Sequence, residues 1–237
     1  LAILCTADDS EVGDAGAAGL LAGMQKRLIG SDYSLHNAPI LISERSVAQL
    51  ASILRQRPTD GVFIDHIEPD DPRIDLLCQE DIPFIAYGRG GAAARHPYFE
   101  IDNIHAAYSG TKALIENGFS SPALIEADTT LNFAQERVQG FRRALQEAGL
   151  PFDPARVLHG PTDAAAVRSA VRSLALEQNP DSYVCSNEIF LFGTLAGIRD
   201  AGIRPIRLTG FSVRTATNLG AYLGLPMVAS FYSREAA

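Results

Sequence analysis

The chain has only three cysteines among its 237 residues, and Cys5, Cys78 and Cys185 lie far apart in the sequence. An odd, scattered set does not form a disulfide framework, and no His/Cys spacing matches a metal site. We therefore expect reduced, buried thiols with neither a metal-binding nor a catalytic role.

Long hydrophobic runs and basic clusters are also missing. The longest apolar stretches are strand-sized, so the sequence predicts no transmembrane helix and no membrane partner. The formal net charge of −8 argues against binding of a phosphate backbone by this chain alone. The opening L-A-I-L-C-T lacks the basic start and the cleavage site of a signal peptide, so we expect a cytoplasmic protein.

The motifs of common enzyme classes are absent as well. The glycine-rich stretches 16–23 and 88–91 form neither G-x-G-x-x-G nor a P-loop, and no G-x-S-x-G elbow occurs. The acidic pair Asp70-Asp71 is flanked by Pro69 and Pro72, which indicates a helix start and not a catalytic dyad. We predict a protein that is not an enzyme, with no catalytic residue, no cofactor and no metal.

What the sequence does contain is a regular alternation of strands and helices. The predicted strands are 2–6, 33–42, 61–66, 83–87, 98–102, 122–126, 156–159, 182–186 and 206–211. The predicted helices are 14–29, 45–57, 72–79, 104–117, 132–149, 163–178 and 189–201. Such alternation is typical of an α/β fold whose parallel sheets are covered by helices on both faces.

The strand–helix pattern restarts near Pro122, which suggests two Rossmann-like lobes. We expect one lobe over 1–119, a second over 120–229, and a return of 230–237 to the first. Since ligands bind at the carboxyl ends of parallel strands, the two lobes should face one ligand cleft that closes by a hinge motion.

Five fragments carry a family resemblance, in the right order and spacing. They are T-D-G-V-F-I, the Asp102-Asn103 helix, R-V-Q-G-F-R-R, Y-V-C-S-N-E and L-T-G-F-S. Together they resemble the effector-binding core of LacI/GalR-family transcription regulators, a periplasmic-binding-protein-like fold of type I. The resemblance implies a small-molecule effector, a sugar in the simplest case, and a homodimer. It also implies operator DNA bound through an N-terminal helix-turn-helix outside this chain.

The same resemblance implies three effector contacts. Arg137 matches the family arginine that holds sugar hydroxyls or carboxylates, Asn187 matches the polar residue of a strand end, and Asp102 matches a third contact. The family carboxylate of G-(F/Y)-D-D is replaced by Ser212. Either the effector has a different shape, or another acid such as Asp65 or Glu126 substitutes for the missing carboxylate.

Each of these residues also has a purely structural interpretation. Arg137 could lie on a solvated helix face or pair with a residue such as Glu136, and Asn187 and Asp102 could simply cap the helices that follow them. Phe133 could stack on a sugar face or pack in the core. The remaining candidates are Asn132 as a helix cap facing the cleft, the strand-end residues Asp65, His66, Arg89 and Glu126, and Phe211 on or beneath the cleft floor.

Two helical segments suggest the surface for self-association. The helix at 72–79 carries Ile74, Leu76, Leu77 and Cys78, more apolar surface than one face needs, and the region 14–24 is rich in small apolar residues. A two-fold dimer through the first lobe is our expectation; the alternative is that both helices are buried within that lobe.

Three functions from different classes remain open at this point. The chain is the sensor core of a DNA-binding repressor, a periplasmic sugar receptor of a transport system, or a sugar-modifying enzyme. The helical D-N segment and the reduced cysteines favour the regulator.

Overall fold

A computed structural model describes residues 2–5, 15–38, 46–56, 59–91, 95–126, 130–160, 163–202, 206–215, 222–225 and 227–231. The chain divides into two compact units. Within the described residues, no helix is long and apolar enough to cross a membrane.

The first unit contains a five-stranded parallel sheet. Its strands are β1 (Ala2–Cys5), β2 (Leu35–Asn37), β3 (Gly61–Asp65), β4 (Phe84–Tyr87) and β5 (Tyr98–Phe99), in the order β2-β1-β3-β4-β5. The helices are α1 (Ala15–Leu28), α2 (Ser46–Gln56) and α3 (Pro72–Gln79). Leu50, Ile64 and Leu77 are fully buried together in a core of this unit.

The second unit contains another five-stranded parallel sheet. Its strands are β6 (Pro122–Ile125), β7 (Val157–Leu158), β8 (Ser182–Cys185), β9 (Gly210–Thr215) and β10 (Met227–Phe231), in the order β10-β9-β8-β6-β7. The helices are α4 (Asn103–Glu116), α5 (Asn132–Glu147), α6 (Ala164–Gln178) and α7 (Glu188–Ala201). Counted from the first strand of each sheet, both have the order 2-1-3-4-5, so the predicted α/β fold with two parallel sheets is confirmed.

The two units meet in the sequence at Ile101 and Asp102, with Thr130–Asn132 grouped with the first unit. The predicted boundary at residue 119 is therefore displaced, because α4 packs against β8, β9 and β10. Gly110 makes this possible, since a Cβ at that position would overlap the Ser212 hydroxyl. Of the segment 230–237 that was expected to return to the first lobe, Ser230 and Phe231 belong to β10; residues 232–237 lie outside the described range.

The last part of the second sheet differs from the prediction. Ile206–Leu208, predicted to open a strand, forms a short 3₁₀ helix, and the strand runs over Gly210–Thr215. Gly210, the first residue of this strand, has no room for a side chain, because the ring of Phe119 lies 2.6 Å from where a Cβ would be. The strand β10 was missed altogether, since parallel pairing is non-local and leaves no turn signal nearby.

The burial of the cysteines and of the apolar residues of α3 can be compared with two expectations from the sequence. Cys185 is buried as predicted, whereas Cys78 is exposed, and the side chain of Cys5 is outside what the structure describes. On α3, Leu77 is buried, and Ile74 and Leu76 pack against the core of their own unit. Leu77 thus covers the unit that carries it, Ile74 and Leu76 do so in part, and Cys78 is exposed, so the expected dimer surface on this helix stays a prediction.

Candidate functional site

The polar residues of the second unit meet at the carboxyl edge of its sheet. Glu126 follows β6 and Ser186 follows β8, the two neighbouring strands at which the connections of the sheet change direction. In open α/β sheets this switch point is where ligands bind. Arg214, near the end of β9, joins them by donating from Nε to the Ser186 carbonyl at 3.0 Å.

A buried ion pair is the centre of this edge. Nη1 of Arg137 donates to Oε1 of Glu126 at 3.1 Å, and both side chains are almost completely buried. Oε2 of Glu126 accepts a short hydrogen bond from the Ser186 hydroxyl. Nε of Arg137 donates to Oδ1 of Asn103 at 3.1 Å. Both oxygens of Glu126 and two nitrogens of Arg137 are thus hydrogen-bonded, and such bonds offset the cost of burying an ion pair.

One nitrogen of Arg137 is left over. Among the described residues, Nη2 has no hydrogen-bond partner. The guanidinium lies over the ring of Phe133, with 4.7 Å from Cζ to the ring centroid, which restricts its orientation. The side chain is thus held in place by three neighbours and still offers a charge-assisted donor to an oxygen-rich ligand.

Close helix packing holds the arginine. A Cβ on Gly140 of α5 would overlap the carbonyl oxygen of Ile104 on α4, so only glycine permits this approach. The contact brings Asn103 and Glu136 together, with 3.4 Å from Nδ2 to Oε2. Of the two structural interpretations of Arg137, the solvated helix face does not agree with its burial, and the ion pair is formed, with Glu126 as the acid.

The position of Ser212 explains why the family carboxylate is missing there. Ser212 is buried within β9, pairs in register with Val184, and lies against Gly110 of α4. An aspartate in its place would not fit against the helix. Glu126 is already bonded at both oxygens, so it is not a free replacement for that carboxylate.

A cavity of about 20 Å³ lies beneath this edge, within the second unit. It is lined, among others, by Ala106, Ala107, Arg137, Cys185, Ser186, Ser212 and Arg214. This volume suits one water molecule and not a sugar ring. Burial raises the pKa of the Cys185 thiol to about 12, which keeps it protonated at neutral pH and is consistent with its expected non-catalytic role.

Two candidate contacts act as helix caps. Oδ1 of Asp102 accepts from the His105 N–H at 2.8 Å and caps α4, and Oδ1 of Asn187 accepts from the Phe190 N–H at 2.8 Å and caps α7. The capping interpretation of both residues is confirmed. Capping uses one carboxylate oxygen of Asp102 and the carbonyl oxygen of Asn187, so the other oxygen of Asp102 and the amide N–H groups of Asn187 remain candidates for ligand contact.

Two other candidates are corrected. Asn132 is the first residue of α5, but its amide donates to the carbonyls of Arg89 and Gly90 instead of capping the helix. Phe211 is fully buried in the hydrophobic core, stacked near Tyr183 at 6.3 Å between ring centroids, and is unavailable to a ligand.

In the first unit, three candidates lie at strand ends. Asp65 ends β3 and is 4% exposed, with Oδ2 lying 3.3 Å from Nδ1 of His66. The side chain of His66 is 31% exposed, and its φ of 52° is unusual for a residue other than glycine. Arg89 follows β4, is half-buried, and has its Nε 4.0 Å from Oε2 of Glu100.

Sequence reasoning missed Ser186, Arg214 and Asn103 as members of the site. Ser186 and Arg214 become neighbours only through the register of β8 and β9, which no local pattern specifies. Asn103 could have been found, because it follows the predicted cap Asp102 and so begins a helix at a strand end.

Comparison with known proteins identifies the family. A family model described as periplasmic binding proteins and sugar binding domain of LacI family matches residues 18–236. The chain belongs to this family. The predicted resemblance is confirmed, and the family is one of binding proteins and regulators, in agreement with the prediction of a non-enzyme.

Relatives of this LacI-family domain are transcription regulators. It is 32% identical over 185 residues to the HTH-type transcriptional regulator AglR of Rhizobium meliloti (strain 1021), covering 77% of this chain and 52% of AglR. It is also 32% identical over 202 residues to the HTH-type transcriptional regulator RafR of Escherichia coli, covering 84% of this chain and 58% of RafR. The chain thus spans little more than half the length of these relatives.

Solved structures confirm the fold of the LacI-family domain. The transcriptional regulator CelR in complex with cellobiose matches with a TM-score of 0.87 at 22% identity, over 99% of this chain and 73% of that one. The Cra transcriptional dual regulator of Pseudomonas putida in complex with fructose 1-phosphate has a TM-score of 0.84 at 21% identity, over 99% of this chain and 86% of that one.

Proposed function

We propose that this chain is the effector-binding core of a LacI-type transcription regulator and that its effector is a sugar. The observation that carries the proposal is the arrangement around Arg137. Its guanidinium is fixed by Glu126, Asn103 and Phe133 at the switch point of a parallel sheet, while Nη2 has no partner within the described residues. A fixed donor of this kind lowers the entropic cost of binding a ligand oxygen.

The choice of a sugar rests on chemistry and on relatives. Vicinal hydroxyls match the planar fork of a guanidinium, and the half-buried ring of Phe133 offers an apolar surface to a sugar face. Two structural neighbours are complexes, CelR with cellobiose and Cra with fructose 1-phosphate. Among the candidate residues, Arg137, Asn187 and Asp102 are the second-unit contacts that we propose, with Asp65, His66 and Arg89 in the first unit.

The regulator is preferred to a transport receptor because AglR, RafR and CelR, which this chain resembles in sequence, are HTH-type transcriptional regulators. In this proposal, operator DNA is bound by a segment outside this chain, and the protein acts in the cytoplasm as a homodimer. Exposed Ile29 and Tyr33, which follow α1, are apolar residues that a dimer interface could cover.

The direct test is a thermal-shift screen. The panel contains neutral mono-, di- and trisaccharides including cellobiose, sugar phosphates including fructose 1-phosphate, and nucleobases. A sugar at a hundredfold excess over its dissociation constant should stabilise the protein by about 2.7 kcal/mol. Stabilisation by nucleobases alone, with no response to any sugar, would contradict the sugar assignment.

The role of Arg137 is tested by Arg137→Lys, which keeps the positive charge and removes the planar fork. We expect the affinity for the responding sugar to fall by about tenfold or more, because a charge-assisted hydrogen bond contributes about 1.5–3 kcal/mol. The matched control is Arg142→Lys on the exposed face of the same helix. Calorimetry that gives equal affinities for both variants would remove Arg137 from the binding site.

Two further measurements address the partners. In gel shifts at low salt, this chain alone should not bind operator-like duplexes, since it carries a net charge of −8. Sedimentation at micromolar concentration should show a species of twice the 25.4 kDa chain mass. A salt-dependent, sequence-selective DNA complex would contradict the first expectation, and a clean monomer would contradict the second.

A further inference from the structure

Asp65 has a buried carboxylate oxygen that finds no hydrogen-bond partner in the part of the chain that the structure describes. The side chain is 95% buried at the end of β3, and Oδ1 makes no hydrogen bond among the residues that the structure describes. Its other oxygen, Oδ2, lies 3.3 Å from Nδ1 of the half-exposed His66. Leaving a charged acceptor buried and unbonded is costly, and such groups in folded proteins call for an explanation.

The surroundings of Asp65 are otherwise well bonded. Arg73, also buried, donates from Nη2 to the backbone carbonyls of Asp65 and His66 at 2.9 and 3.0 Å. The Arg73 guanidinium forms its ion pair with Asp71. The carboxylate of Asp71 also accepts hydrogen bonds from the backbone N–H of Arg73 at 3.0 Å and of Glu68 at 3.2 Å. Arg73 thus fixes the backbone at Asp65, but its ion pair is with the carboxylate of Asp71 and not with that of Asp65.

The position of Asp65 in its sheet is that of a ligand contact. Ile64 pairs with Cys5 across β3 and β1, and Cys185 pairs with Ile125 across β8 and β6. Because the two sheets have the same strand order, Asp65 occupies in the first sheet the place that Ser186 occupies in the second. Both residues end the third strand at the switch point, where sheets of this order bind ligands.

We propose that Asp65 is a specificity-determining residue that accepts a hydrogen bond from a hydroxyl of a neutral polyhydroxylated effector. This inference rests on the proposed sugar-sensing function. Glu126 does not fill that role, because Arg137 and Ser186 already bond its two oxygens. A ligand hydroxyl that donates to Oδ1 gives this oxygen a hydrogen bond. Binding then removes the cost of burying an unbonded oxygen, which favours the complex.

A ligand-binding Asp65 differs from a structural aspartate in how its substitution changes the melting temperature and the sugar affinity. Asp65→Asn removes a buried charge that has an unbonded oxygen, so the ligand-free variant should melt about 2–4 °C above the wild type, the shift expected for about 1 kcal/mol in a protein of this size. The same substitution should weaken binding of a neutral sugar by about tenfold or more. A stabilising substitution that reduces function is typical of a binding site.

The experiment measures melting temperature and affinity on the same set of variants. Asp65→Asn and Asp65→Ser are compared with the wild type, and Asp75→Asn on the exposed face of α3 controls for the change in net charge. The probes are cellobiose, maltose, melibiose, raffinose, glucose and galactose, each by thermal shift and then by calorimetry. A higher melting temperature together with weaker sugar binding in both Asp65 variants supports the inference.

Two outcomes overturn it, and they are distinguishable. If the wild type binds a neutral sugar, Arg137→Lys weakens that binding and both Asp65 variants bind as tightly as the wild type, the inference fails while the proposed function stands. If the wild type responds to no sugar, neutral or phosphorylated, the sugar assignment fails and the role of Asp65 fails with it.

Discussion

The carboxyl edges of the two sheets differ in how their acidic residues are bonded. In the second unit, Glu126 is bonded at both oxygens by Arg137 and Ser186. In the first unit, Asp71 is fully bonded through Arg73, but Asp65 at the equivalent strand end has an oxygen without a partner among the described residues. The edge of the second sheet is complete, in the sense that both oxygens of Glu126 are bonded before a ligand binds. The edge of the first sheet is incomplete, because Oδ1 of Asp65 is not bonded within the described residues. This comparison predicts where substitutions destabilise the protein and where they stabilise it.

Breaking the complete edge should have the largest effect. Glu126→Ala leaves the Arg137 guanidinium buried without its counter-charge, so we expect a loss of about 3–5 kcal/mol in the free energy of unfolding. Urea denaturation followed by circular dichroism measures this loss. Glu177→Ala on the exposed face of α6 is the control and should change stability by less than about 0.5 kcal/mol. Similar values for the two variants would mean that the ion pair contributes little.

The bonded aspartate of the first unit sharpens the contrast with Asp65. Asp71→Asn keeps one acceptor oxygen but removes the charge that balances buried Arg73, so we expect a loss of about 2–4 kcal/mol. This change is opposite in sign to the one expected for Asp65→Asn, although both variants lose one buried negative charge in the same unit. Thermal unfolding of the two variants side by side decides it, and shifts of the same sign would contradict the comparison.

The complete edge also depends on how closely α4 and α5 approach each other. Gly140→Ala places a methyl group against the Ile104 carbonyl, so the helices must separate, at a cost of about 1–3 kcal/mol in stability. Because Asn103 and Arg137 lie on these two helices, sugar affinity should fall in parallel. The control is Gln139→Ala at the neighbouring exposed position. Wild-type stability of the Gly140 variant would show that the packing can relax.

The smallest change concerns Asn187, which caps α7. Asn187→Asp keeps the oxygen that accepts from Phe190 and removes the amide donor, so stability should change by less than about 0.5 kcal/mol. If the amide also binds the effector, sugar affinity should fall by several fold without a change in melting temperature. Asn187→Ala provides the comparison, since it removes the cap and should cost about 1 kcal/mol. Equal sugar affinities for the Asp variant and the wild type would restrict Asn187 to capping.

Local features of the sequence were enough to predict most of the helices. Asp102 caps α4 as expected, and the amphipathic patterns placed the seven helices within one or two residues of their observed ends. Features set by distant parts of the chain were not predicted. The ring of Phe119 excludes a side chain at Gly210, and the Ser212 hydroxyl excludes one at Gly110 of α4, and neither contact is visible in the sequence around these glycines.

The candidate site shows the same division. Arg137, Glu126, Asp102 and Asn187 were found because each lies beside a recognisable strand end or helix start. Phe211 was left between the cleft floor and the layer beneath it, since an aromatic residue in a strand has the same sequence pattern whether it faces a ligand or the core, and its burial agrees with the second position. The partnership of Arg137 with Glu126 could not be read from the sequence, because Glu136 is the nearer acid along the chain.

The short edge strands of the two sheets have a consequence for solubility. Among the described strands, β2, β5 and β7 are edges of only two or three residues, too short to recruit a strand from another molecule. The fourth edge, β10, has five residues and covers β9, whose residues are almost all buried. A chain shortened before Met227 would leave the six-residue β9, now almost fully buried, as a long unpaired edge, and such a truncated protein should aggregate.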